Sequence, residues 1–350
     1  DTEFRRTIQL EFEHDKECGV NQHIVSLSAG LDSRMVSWVA HEMGYTNQLN
    51  ITFSQSDYWD EFIPKRIARD LKHDWLFKSL DDGVWLYDIN GVLDITGGNV
   101  TYSLQAHINS LMKYVNTEYF GSLHTGNKGD VSFVANTHNK NLSEKYTFGH
   151  GAFSTKYLHK LDASMLEEYP NDEIANFYHR GFSGVNNGSL MEMPYVENVS
   201  PFMDWDLMHQ TLKVPLHIRQ NYNIYKKWIL QKYPQAAKYE WEKMGAKITT
   251  PTFKFMGRER TVKQWIEILW SRIGSPLRGL DSKNNMNPIG YYLSRDMQLQ
   301  SYFNDILQYC ASIENVELRN AVEDLAKNGT SLEKTQAITV VAAVKKFKLK

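Results

Sequence analysis

Ser28-Ala29-Gly30-Leu31-Asp32-Ser33-Arg34 is the stretch on which the reading of this chain turns. An apolar run, Ile24-Val25-Ser26-Leu27, precedes it. An amphipathic helix pattern follows, with Met35, Val36, Val39, Ala40 and Met43 recurring on one face and Gly44 where a C-terminal cap is expected. The spacing predicts a strand, a turn and a helix. Backbone N–H groups at a helix start lack intrahelical partners and carry the positive end of the helix dipole, so they favour an anion. Gly30 lets the chain take an unusual conformation there, or lets a phosphate approach closely. Ser28 and Ser33 can donate to phosphate oxygens. Asp32 would repel a phosphate unless a cation lay between them, which points to Mg²⁺ and to ATP chemistry. A plainer reading stays open, in which Ser28 and Asp32 only cap the helix.

Working outward, Leu49-Asn50-Ile51-Thr52-Phe53 alternates as a second strand, and Asp74-Trp75-Leu76-Phe77 reads as a third. A helix carrying Phe62, Ile63, Ile67, Ala68 and Leu71 lies between them. Helical patterns follow near 83–93 and 104–114, and then Tyr119 to His124 reads as a buried strand. Strand–helix alternation of this kind predicts an α/β fold, a parallel sheet flanked by helices. Ligands of such sheets bind beyond the carboxyl ends of strands, where both Asp32 and Asp130 would fall. Residues 1–20 are expected to form a lead-in helix. The polar stretch 131–160 reads as a long loop or lid, the Pro- and Gly-containing stretch 245–290 as an irregular insertion, and 290–350 as helical. Two domains are expected, a core over 1–240 and a helical C-terminal extension over 241–350.

A chain of 350 residues, 42% hydrophobic, can bury a sizeable core. Lys and Arg number 39 against 41 Asp and Glu, so the net charge of −2 gives no electrostatic reason to expect nucleic acid. Two cysteines, Cys18 and Cys310, are too few for a disulfide framework, which fits a cytoplasmic setting. No apolar run approaches the roughly 20 residues of a membrane span, and no signal peptide is visible. The basic end, Lys345 to Lys350, reads as a solvated tail. The histidines show no spacing that would mark a metal site. Gly121 and Gly126 have P-loop spacing, but Asn127 stands where that motif needs Lys.

Three segments, taken in order, resemble the asparagine synthetase family. Ser28 to Ser33 is similar to its pyrophosphate motif S-G-G-L-D-S, with Ala29 at the second position. Thr125-Gly126-Asn127-Lys128-Gly129-Asp130 resembles the second motif, S-G-E-G-x-D-E. Pro201-Phe202-Met203-Asp204, then Leu212-Lys213-Val214-Pro215, then Lys227-Trp228-Ile229-Leu230, resemble a third block, P-F-L-D, L-x-x-P and K-x-x-L-R. The resemblance spans about residues 20–235 and covers the remaining third only loosely. It implies the ATP-pyrophosphatase synthetase fold, a Rossmann-like sheet of the adenine nucleotide alpha hydrolase kind. It implies an AMP-forming carbon–nitrogen ligase using ATP and Mg²⁺, with asparagine biosynthesis as the parent reaction. Small-molecule carboxylate and amine substrates follow, with no nucleic acid or membrane partner. Family members carry a glutaminase domain in front. This chain starts at Asp1 and reads as a fragment or processed form, so that such a domain would lie outside it.

On that resemblance Asp32 and Asp130 are the expected metal ligands. Leu27, Ser28, Gly30, Asp32, Ser33, Arg34, Phe53, Thr125 and Gly126 are the expected nucleotide contacts. Phe53 would stand near the adenine or else be a plain core aromatic. Arg34 would reach a phosphate or else pair with a surface carboxylate. Lys227 would stabilise charge on the α-phosphorus and pyrophosphate, with Asp32 as its catalytic partner. Lys226 stands beside it, and two solvated helix lysines are the alternative. The second motif departs from the family: Asn127 and Val131 stand where Glu is usual, and Lys128 where Gly is usual. A carboxylate at 127 could orient or deprotonate an amine, and an amide cannot act as that base. The nucleotide half of the pattern is thus kept and the amine half altered. This leaves an amide-forming ligase with another acceptor, or a degenerate nucleotide-binding scaffold.

Overall fold

The structure is a computed structural model that describes residues 1–134, 152–162, 164, 169–255, 258–271 and 282–349. Helix α1 (Thr2–Glu17) opens the chain and is followed by strand β1 (His23–Ser26). Then come α2 (Asp32–Glu42), β2 (Gln48–Ser54), α3 (Trp59–Leu71) and β3 (Asp74–Ser79). Strands β4 (Leu123–His124) and β5 (Asn198–Val199) complete one five-stranded sheet in the order β3-β2-β1-β4-β5. Pairing is parallel in the register Ile24↔Leu49, Ile24↔Leu123 and Leu123↔Asn198. The predicted α/β class with a parallel sheet flanked by helices is what the chain adopts.

Period-2 apolar runs make these strands, and burial selects their faces. His23, Ile24 and Val25 of β1 are all buried, as a central parallel strand covered on both sides requires. Of α2, the faces carrying Met35, Val36, Val39 and Ala40 are fully buried. The core joins α1 (Phe4, Ile8, Phe12), α2, α3 (Ile63, Ile67), Phe202, Tyr225, Ile229 and the 236–248 segment. Phe202 is fully buried, with its ring centroid 5.2 Å from Phe4 and 5.4 Å from Phe133.

The strand order fixes where a ligand can sit. From β1 the chain moves outward through β2 and β3, then returns to the other side for β4 and β5. The order reverses between β1 and β4, which opens a crevice beyond their carboxyl ends. The Ser28–Ser33 loop leaves β1 there, and the Thr125–Asp130 loop leaves β4.

The chain divides into two compact units, both discontinuous in sequence. The first comprises 1–78, 116–144 and 195–277, and holds the sheet. The second comprises 79–115, 145–194 and 278–350, and its described part is helical. This differs from the expected boundary at 240. Residues 241–277 belong with the sheet, because Tyr239, Trp241, Met244 and Ile248 bury into its core. In the second unit, helix Ser331–Phe347 begins with a capping box between Thr330 and Glu333 and is buried from Leu332 to Val344 along one side.

Several local expectations change. Tyr119 and Phe120 are not strand: β4 is only Leu123–His124, after a turn of 3₁₀-helix at Thr117–Tyr119. The 245–290 stretch holds paired strands Phe253–Phe255 and Arg258–Arg260 and a helix, Val262–Ser271. Most of the expected lid at 131–160 lies outside the described residues, as do 272–281 and Lys350. Lys345 and Lys346 continue the last helix, and Lys346 pairs with Asp94 at 2.7 Å. Among the described residues, no helix is long and apolar enough to cross a membrane. Cys18 is exposed and Cys310 buried, both as free thiols.

Candidate active site

The first loop is built by its own serines. Ser28 N–H donates to Ser33 Oγ at 3.0 Å, and Gly30 N–H donates to Ser28 Oγ at 3.2 Å. The two hydroxyls lie 2.9 Å apart. One of their two protons makes that contact, so one is left to point at a ligand oxygen. Ala29 N–H donates to Asp60 Oδ1 at 2.7 Å. The N–H groups of residues 28, 29 and 30 are therefore spent inside the protein. What remains for an anion is the start of α2, where main-chain N–H groups have no intrahelical acceptor.

The second loop closes on that helix start, and glycine is what allows it. A Cβ at Gly126 would lie 2.3 Å from Ser33 N and 2.7 Å from Asp32 C. A Cβ at Gly129 would lie 2.3 Å from Asp32 Cγ and 2.6 Å from its Oδ1. Any other residue at either position would push the loops apart. Lys128 between them takes a left-handed conformation, φ +66°, and is buried. Burial lowers its pKa to about 8. Thr125 is tied to β5: its N–H donates to the Val199 carbonyl at 2.9 Å, and its hydroxyl lies 3.0 Å from Asn198 Oδ1. Asn127 also joins Asn198, at 3.4 Å, and its carbonyl accepts from the Ser200 hydroxyl at 2.8 Å.

Asp32 and Asp130, the expected metal ligands, influence each other here. Asp32 Oδ1 is buried and has no hydrogen-bond partner. The Asp32 carboxyl is pushed up to about 7, first by burial and then by the charge of Asp130, against the Tyr225 hydroxyl, the Asp130 N–H and Lys243. The Asp130 charge reaches the buried Asp32 carboxyl, whose Oδ1 is orphaned, and a cation between the two would relieve that repulsion. The donor set is all oxygen, which suits Mg²⁺, and the residues fit that ion.

Other expected residues are placed differently. Arg34 is fully buried, and its terminal nitrogens are held by main-chain carbonyls rather than by a surface carboxylate. Its Nη2 donates to the carbonyls of Ala29 at 3.2 Å and Glu240 at 2.6 Å. Its Nη1 donates to those of Ala236 and Tyr239, each at 3.3 Å. The side chain joins the loop to the 236–240 segment. Leu27 is core: it is 2% exposed, its N–H donates to Ile51 O, and its carbonyl accepts from the Thr52 hydroxyl. Phe53 is half-buried at the end of β2, level with the start of the loop.

Lys227 is exposed on α4 (Asn223–Lys232). On that helix Tyr225 is the residue turned to Asp32, fully buried and with its ring stacked on Phe133 at 5.1 Å. Two residues further on is about 200° around the helix, so Lys227 points away from Asp32. Lys243, also exposed, is a cation whose charge bears on Asp32, more weakly than burial or Asp130. Its Nζ lies 2.8 Å from the Tyr222 hydroxyl and 4.3 Å from that ring's centroid. Tyr225 and Lys243, which influence Asp32, and Asp60, which binds Ala29, were not singled out by the sequence reading. Asp60 sits at a helix start among Asp57, Asp60 and Glu61, where acidic residues are ordinary. Nothing local marks Lys243.

A second polar cluster lies beneath α1. Asp15 Oδ2 accepts from His23 Nδ1 and His124 Nε2, each at 2.8 Å, and Asp15 Oδ1 accepts from Ser122 N–H at 2.8 Å. His124 Nδ1 lies 3.3 Å from Glu11 Oε2. Asp15, His23 and His124 are all buried and could reach one metal ion, although sequence spacing did not single out these histidines. The hydrogen-bonded distances describe a closed polar network.

No protein-family model matches this chain, and no curated protein matches it.

Proposed function

We propose that the first unit binds Mg·ATP and uses it to activate a carboxylate, as an AMP-forming ligase of asparagine synthase type. The reading is supported above all by Asp32 Oδ1, buried and unpartnered beside Asp130 at the point where the strand order reverses. The finer fold assignment, to the Rossmann-like adenine nucleotide alpha hydrolase kind, belongs to the same proposal.

Mg²⁺ held by Asp32 and Asp130 would neutralise phosphate oxygens. The Ser28–Ser33 hydroxyl pair and the start of α2 would bind the pyrophosphate part of ATP, and Phe53 would stand beside the base. A substrate carboxylate oxygen attacks the α-phosphorus, the bond to the β-phosphate oxygen breaks, and pyrophosphate leaves. An amine then attacks the acyl carbon of the adenylate, loses a proton, and displaces AMP. Negative charge grows on the phosphoryl oxygens in the first step. A fixed cation lowers that barrier, and Lys243, whose charge bears on Asp32, is our candidate for it in place of Lys227. Residue 127 supplies no base, because Asn127 is an amide already engaged with Asn198.

That engagement also favours a second reading, a nucleotide-binding scaffold without ligase activity. ATP–pyrophosphate exchange with Mg²⁺, run with aspartate and then with other carboxylates, separates the two. Exchange that requires one acid and is lost in Asp32→Ala supports the ligase. Mg·ATP binding with no exchange for any acid supports the scaffold.

A further inference from the structure

The peptide of Ala29 is gripped at both ends. Its N–H donates to Asp60 Oδ1 at 2.7 Å, near the start of α3. Its carbonyl accepts from Arg34 Nη2 at 3.2 Å and from Glu242 N–H at 3.3 Å. The Glu242 carboxylate in turn accepts from the Tyr58 hydroxyl at 2.7 Å, two residues before Asp60. The contacts form a closed ring, from residue 29 to 60, back along the chain to 58, across to 242 and back to 29. Lys243 follows directly in sequence.

The ring joins three segments that local sequence does not bring together. Asp60 sits in it at a cost. Its carboxyl is pushed up to about 6, by burial first, with Glu242 adding its charge and the Ala29 N–H opposing both. A helix start needs an acceptor for its own N–H groups, yet this carboxylate is turned outward to another loop. An acid half-buried beside a second acid persists where its one strong hydrogen bond holds something in place.

We propose that Asp60 is a positioning residue of the Mg·ATP site: through Ala29 it holds the Ser28–Ser33 loop in a single arrangement. It touches no substrate. For its nucleotide arm this inference rests on the function proposed above.

Two measurements test it on the intact chain. The first is hydrogen exchange of the peptide covering 24–34. Asp60→Ala speeds exchange in that segment, while Asp60→Asn, which keeps an acceptor oxygen, leaves it near wild type. The second is Mg·ATP affinity by calorimetry. Asp60→Ala weakens binding by about tenfold, the scale of one charge-assisted hydrogen bond, and Asp60→Asn by about threefold or less. Recovery by the isosteric amide is a result that general destabilisation does not produce. If exchange over 24–34 is unchanged in Asp60→Ala, the inference is overturned, whatever the nucleotide data show. If exchange responds but wild type does not bind Mg·ATP, the proposed function fails and the loop-positioning role stands. If Asp60→Ala does not fold, Tyr58→Phe, which removes the hydroxyl from the far side of the ring, must raise exchange over 24–34. Wild-type exchange in that variant overturns the proposal.

Discussion

Arg34 Nη2 donates to the Glu240 carbonyl at 2.6 Å, across 206 residues of chain. A guanidinium with four carbonyl acceptors in a dry interior is a strut, and its position is set by the carbonyls rather than by any ligand. A buried hydrogen bond to a charged group contributes about 1.5–3 kcal/mol, and the terms are not additive. Arg34→Met is expected to lose about 3 kcal/mol or more in denaturant unfolding. Arg34→Lys recovers little, because one ammonium cannot span four carbonyls. A loss below about 1 kcal/mol in Arg34→Met would show that the strut carries little.

Burial, and then the charge of Asp130, push the Asp32 carboxyl up to about 7. A carboxyl raised above its ordinary value stabilises the fold at low pH, and that contribution is lost as pH rises through 7. Metal binding works the other way, since it requires the ionised form. Mg·ATP affinity is therefore expected to rise by up to about tenfold per pH unit below 7 and to flatten above it. Calorimetry from pH 5.5 to 8.5 reads this directly. A flat profile would mean that Asp32 does not hold the metal.

Gly129→Ala places a methyl 2.6 Å from Asp32 Oδ1. The substitution is expected to abolish measurable Mg²⁺-dependent nucleotide binding while costing about 1–3 kcal/mol of stability. Gly126→Ala strikes the Ser33 main chain, which cannot swing away as a side chain can, and is expected to be the more destabilising of the two. The order of their melting temperatures checks that distinction.

Lys243→Ala is expected to slow pyrophosphate exchange by about 100-fold or more, the scale for losing one charge-stabilising group. Lys227→Ala is expected to leave it within about twofold. The reverse ranking would restore Lys227 to the site.

The Asp15 network gives a pH signature of its own. Burial alone would lower the pKa of His124, but the hydrogen bonds to Asp15 and Glu11 outweigh it and raise the pKa. Its contribution is complete below 6.5 and is lost as pH rises through the raised value. Glu11 is itself raised by burial, so it adds a slope of the same sign. Wild-type stability is expected to decline as the solution turns alkaline, and His124→Gln to flatten that decline. Equal slopes in both proteins would assign the decline elsewhere.

Local pattern carried part of this. The alternation in 48–54 and the apolar face of 35–43 come from contacts within a few residues, so the first strands and helices were readable. Asp32 and Asp130 were singled out through the two motifs, and the structure brings the charge of one to bear on the other. Tyr225, Lys243 and Asp60 were not, because each matters only through a partner brought close by the fold. His23 and His124 hid for the same reason, on separate strands with Asp15 on a helix. Arg34 misled: beside a candidate phosphate loop a cation reads as a ligand group, and only tertiary structure shows both of its terminal nitrogens taken by main-chain carbonyls. Two residues of β4 carried too little pattern to mark its ends, and a unit assembled from three separate segments leaves no boundary to find.

The partners of Arg34 also set an order of events during synthesis. The loop and the arginine emerge from the ribosome long before residues 236–240, so the nascent chain holds a cation with nowhere dry to go. Long-range contacts of this kind form late and slowly. The Ser28–Ser33 loop therefore cannot reach the shape described above until residues 236–240 have been made.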